Sequence, residues 1–93
     1  MANQNELLKI DFTTFLLSVA SAAFMGLGIV PQEGQEKVEV NLELARQNID
    51  LLELMNEKTK GNRTPEEEKL LQQLLFETRM RFIEIQKQTE GKK

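Results

Sequence analysis

Ninety-three residues with a formal net charge of −3 and a pI near 5.0 make one small domain whose core can only be modest. That balance excludes a global positive field of the kind that draws nucleic acid or an anionic membrane. Histidine, cysteine, tryptophan and tyrosine are all absent. The usual acid–base group at neutral pH, thiol and disulfide chemistry, the commonest transition-metal ligand and much of the stacking repertoire go with them.

In chain order, residues 1–6 are polar and read as a mobile arm. Leu7, Leu8 and Ile10 lead into a stretch that carries no charge between Asp11 and Pro31. Asp11 is a good N-cap, and Ile10 with Phe15 has the spacing of a hydrophobic staple. The first helix is predicted from Phe12 to about Leu27, stopped by Gly28 as a left-handed cap. On a helical wheel Phe12, Phe15, Leu16, Val19, Ala23 and Leu27 share one broad face, with Leu17 and Phe24 well off it. Between these arcs runs a seam of mostly small side chains: Thr14, Ser18, Ser21, Ala22 and Met25. A helix with no charged face is buried on nearly every side or sits in a membrane.

Residues 31–39 read as a polar loop, with an alternation over 37–40 that permits a short strand but has no partner strand. Asn41 caps a second helix, Leu42 to about Lys60, with Leu42, Ala45, Ile49, Leu52 and Met55 as its apolar stripe and Leu44, Leu51 and Leu54 widening it. Lys58 and Lys60 suit the negative end of that helix, and Gly61 ends it. Thr64-Pro65-Glu66-Glu67 combines an N-cap, proline at the first helical position and a capping-box glutamate. The third helix then reaches about Gln88, with Leu71, Leu74, Leu75, Thr78, Phe82 and Ile85 as its main stripe, and the GKK tail frays. The turn near Gly61 is tight, so helices two and three form an antiparallel αα-hairpin.

These residues together resemble a small family of bacterial proteins, domain-of-unknown-function family 1844. The resemblance runs from about Ile10 to Ile83. It is carried by Asp11-Phe12-x-x-Phe15, Ser18, Ala20, Leu27-Gly28, Asn41-Leu42-x-x-Ala45 and Ile49-Asp50. Its most specific run is Glu57-Lys58-Thr59-Lys60-Gly61-Asn62-x-Thr64-x-Glu66-Glu67, followed by Leu70-Leu71 and Arg79-Met80-Arg81. Phe76 and Phe82 stand where the family tends to have tyrosine, and Thr78 where it has a larger apolar residue. The resemblance implies one helical domain and brings no activity.

Each functional signal has a plain structural counterpart. Lys58, Lys60, Asn62 and Arg63 beside the start of helix three form a candidate anion or partner surface, although capping explains the same residues and Glu66, Glu67 and Glu68 repel an anion. Asp50 and Arg79 are a candidate structural ion pair across the hairpin. Arg79, Arg81, Lys87, Lys92 and Lys93 do not make a nucleic-acid surface without stacking aromatics, and nucleic acid is not expected as a partner. Asp50, Glu53 and Glu57 read as a solvated face rather than a metal site. Ala20-Ser21-Ala22 imitates a signal-peptidase site, but Glu6 and Asp11 precede it and apolar sequence follows.

The expected fold is all-α: a central hydrophobic N-terminal helix packed on a C-terminal αα-hairpin and completed by homo-oligomerisation, with a two-fold dimer favoured. Two amphipathic helices cover only about two thirds of a third one, which leaves the seam for a second copy. The alternative for burying the seam within one chain is that Leu7, Leu8 and residues 29–40 fold back over it. The expected role is a non-enzymatic, cytoplasmic structural or interaction module with no cofactor, no metal and no catalytic residues. The competing role is a membrane-associated accessory protein that uses residues 12–30 as an anchor.

Overall fold

The computed structural model describes residues 10–29 and 39–91, with side chains to Thr89. Three helices are present among them: α1 (Phe12–Gly26), α2 (Leu42–Lys58) and α3 (Pro65–Gly91). The described residues contain no strand, including Glu39 and Val40. The expected arm, the 31–39 loop up to residue 38 and the final two lysines lie outside the described residues.

Local chemistry fixes the helix ends. Thr14 donates its backbone N–H to Asp11 Oδ1 at 2.8 Å and Leu44 donates to Asn41 Oδ1 at 3.1 Å, each satisfying an otherwise orphan donor. The capping box of α3 is reciprocal: Glu67 N–H donates to Thr64 Oγ1 at 3.1 Å, and Thr64 N–H donates to Glu67 Oε1 at 2.8 Å. Gly28 has φ +77°; its N–H reaches Met25 O and that of Ile29 reaches Phe24 O, both at 3.0 Å. That double bond pattern is a Schellman cap, and it needs the left-handed residue at its centre. The helices differ from the sequence reading only at their C-terminal ends: α1 stops one residue earlier, α2 two earlier, and α3 continues three further.

α1 packs on the hairpin and touches both of its helices, α2 more extensively than α3. The core is made by Leu16, Val19 and Ala20 of α1, Leu52 of α2, and Leu71, Leu74 and Leu75 of α3, with Phe12, Phe24, Met55 and Leu70 packed around them. Thr78 is fully buried beside them. Its hydroxyl donates to Leu74 O at 2.7 Å, so the buried polar atom is satisfied within its own helix.

The expected inward face of α1 is buried at Leu16, Val19, Ala23 and Leu27, and it departs from expectation at one residue and gains two. Phe15 is half exposed, while Ala20 and Gly26 are buried. At Gly26 the fit is close: a Cβ placed there would meet Ala45 N at 2.6 Å and Asn41 O at 2.9 Å. Asn41 N–H also donates to Gly26 O at 2.6 Å, so the two backbones touch where α1 ends and α2 begins. Ile10 is 83% exposed and Phe15 51% exposed, so the expected staple buries little. The main stripe of α3 also stops early: Phe82 and Ile85 are only partly covered.

Candidate functional site

Because Leu16, Val19, Ala20, Ala23 and Gly26 face inward, the helical period turns the opposite side of α1 outward. Thr14, Ser18 and Ser21 are exposed, and Ala22 and Met25 are partly covered. The five seam residues therefore share the side turned away from the core. Phe15 and Leu17 flank them, 51% and 46% exposed. Of the seam hydroxyls, that of Ser18 donates to Thr14 O at 3.1 Å. The result is an uncharged strip on the outer side of α1, exposed at Thr14, Ser18 and Ser21, where monomeric surfaces are normally broken up by charge.

The charged turn is committed elsewhere. The Arg63 side chain is 8% exposed; its Nη2 lies 2.6 Å from Glu68 Oε1. Its Nη1 donates to Asn56 O at 2.7 Å and to Thr59 Oγ1 at 3.1 Å. Arg63 thus caps the C-terminal carbonyls of α2 and ties them to the first turn of α3. The N-terminus of α3 is in turn occupied by its own Thr64 and Glu67. Lys58, Lys60 and Asn62 remain exposed at the turn, but the Arg63 guanidinium and the Thr64 and Glu67 amides have intramolecular partners.

Arg79 finds a different carboxylate from the expected Asp50. Its Nε donates to Glu53 Oε2 at 3.1 Å. Asn56 and Gln72 are bonded across the hairpin at 2.9 Å, which sets position 79 opposite about position 49. Side chains lean toward the N-terminus of their own helix. In an antiparallel pair Arg79 therefore leans toward the turn and Glu53 away from it, and the two meet. Both are about half exposed, so the pair contributes little stability. Asp50 lines the shallow groove of about 340 Å³ next to that pair, with Arg46, Ile49, Phe82 and Ile83. No group of three or more metal-ligating side chains is found among the described residues.

Three comparisons with known proteins bear on this geometry. A family model described as a domain of unknown function, DUF1844, matches residues 9–84. The chain belongs to this family. No curated protein and no solved structure matches it. The matched span covers all three helices up to Glu84 and both features described above, the outer strip of α1 and the Arg63 turn. The family description supplies no activity, so the site has to be read from its own geometry. Among the described residues no helix is long and apolar enough to cross a membrane. α1, at 15 residues, spans about 22 Å against a hydrocarbon core of roughly 30 Å.

One part of the candidate surface escaped the sequence reading. Phe76, Met80 and Ile83 of α3, outside its main stripe, are 65%, 45% and 46% exposed. Their i, i+4, i+7 spacing was the available signal. It marks a second apolar stripe on α3 that points away from the core.

Proposed function

We propose that this chain is a non-enzymatic structural or interaction module of the cytoplasm that pairs with a second copy of itself through the outer face of α1. One observation carries the reading: Thr14, Ser18 and Ser21 are exposed on a helix that has no charged residue and is flanked there by half-exposed Phe15 and Leu17. Small side chains let two helix backbones approach closely, and a two-fold contact sets each residue near its own copy or a reciprocal one. A face without charge tolerates that arrangement, because no like charges are brought together. The absence of catalysis from this reading rests on composition, which lacks histidine, cysteine and tyrosine.

The test is a charge at the centre of the strip. Ser18 is exposed, so Ser18→Glu leaves each copy folded while placing two carboxylates against each other in the pair. The expected result, in detergent-free buffer, is a fall in solution mass to that of one chain with helical circular dichroism retained. A variant with the same mass and melting temperature as the wild type would refute the interface.

A further inference from the structure

We infer that the pairing surface continues from α1 onto α2, so that a second copy covers the Leu44–Leu51 side of α2 together with the α1 strip. This rests on the self-association reading and says which further residues it needs. A 15-residue helix offers a strip of about 22 Å by 10 Å, roughly 220 Å², whereas a stable dimer buries about 800 Å² on each partner. One helix face falls several-fold short, so an adjoining apolar surface has to take part.

The structure supplies one. On α2, Glu53 and Leu51 flank the buried Leu52 on opposite sides, each turned by about 100°. Glu53 bonds Arg79 of α3, so Leu51 turns to the other side, where α1 lies. Leu51 is 44% exposed, and half-buried Leu44 precedes it by two turns on the same side. On α1, Phe15 lies three turns before Gly26 and so shares the α2-facing side. It is nonetheless 51% exposed. Phe15, Ser18, Ala22, Leu44 and Leu51 therefore line one two-helix face, which about doubles the footprint of the strip to roughly 440 Å² a side, the size of a weak pair that dissociates on dilution.

The stripe of α3 is a poorer match for a second copy. Phe76, Met80 and Ile83 are bordered by Glu77, Arg79 and Glu84. Covering that stripe with a second copy takes these charges, one of them already paired with Glu53, out of water.

The experiment compares dimer dissociation constants, by light scattering over a dilution series, for the full chain and for Leu51→Glu, Leu51→Gln, Ser18→Glu and Phe76→Glu. Expected are a dimeric wild type, a dissociation constant raised by about tenfold or more in Leu51→Glu, a smaller rise in Leu51→Gln, and no change in Phe76→Glu. Leu51→Gln adds no charge and keeps the inference testable should Leu51→Glu lose helical circular dichroism. If Ser18→Glu separates the copies and both Leu51 variants leave the constant unchanged, the extension onto α2 is wrong and the α1 reading stands. If Phe76→Glu separates them and the Leu51 variants do not, the second surface is α3 instead. A wild type that is monomeric throughout overturns both readings.

Discussion

The inner and outer faces of α1 each carry a row of small side chains and have opposite surroundings. Inward, Ala20, Ala23 and Gly26 let the helix lie against its neighbours, with Gly26 in contact with the backbone of Ala45. Outward, Thr14, Ser18, Ser21 and Ala22 make a similar row of small side chains, the first three of them exposed. Small residues permit close approach but do not by themselves choose a partner. What chooses here is the neighbouring bulk: Leu16 is fully buried among Leu52, Leu71 and Leu75, while Phe15 and Leu17 stay half exposed.

Substitutions on the two faces separate those roles. The largest effect is expected from Leu16→Ala, which removes a fully buried side chain and lowers unfolding free energy by about 3 kcal/mol, read by urea denaturation at low protein concentration. Next is Gly26→Ala. Its Cβ has no room beside Ala45 N at 2.6 Å, and overpacking outweighs the helix-propensity gain by about 2 kcal/mol. A Gly26→Ala protein as stable as the wild type would remove the close α1–α2 crossing from the account. Phe15→Ala, half exposed in one chain, is expected to cost about 1 kcal/mol in the dilute monomer. It should cost visibly more at high concentration, where pairing adds to stability. The smallest effect belongs to the hairpin surface: Arg79→Ala is expected to change stability by at most about 0.5 kcal/mol, less in high salt.

The same contrast explains what could be read from the chain alone. Every helix start was legible, because Asp11, Asn41 and Thr64 with Glu67 act through bonds no more than four residues long. The inward stripe of α2 was legible too, since its charged residues fix which side is out. On α1 the inward positions of Leu16, Val19, Ala23 and Leu27 were legible from their spacing. The exposure of Phe15 was not, nor was the close contact of Gly26 with Ala45, a tertiary contact that no local signal announces. The Arg79 partner was missed by one turn for a related reason: hairpin register depends on the turn around Gly61, with φ +87°, and on side-chain lean. The exposure of Thr14, Ser18 and Ser21 was legible because it asks only which residues are small and polar. The commitment of Arg63 to Asn56 and Glu68 was not, since it depends on where α2 ends.

The central claim is that the outer face of α1 is covered by a second copy of the chain. The most direct test is the solution mass of the wild-type protein, by light scattering on a sizing column without detergent and over a wide dilution range. The account expects twice 10.7 kDa at high concentration, falling toward the single-chain mass on dilution. A mass of 10.7 kDa at every concentration would contradict it.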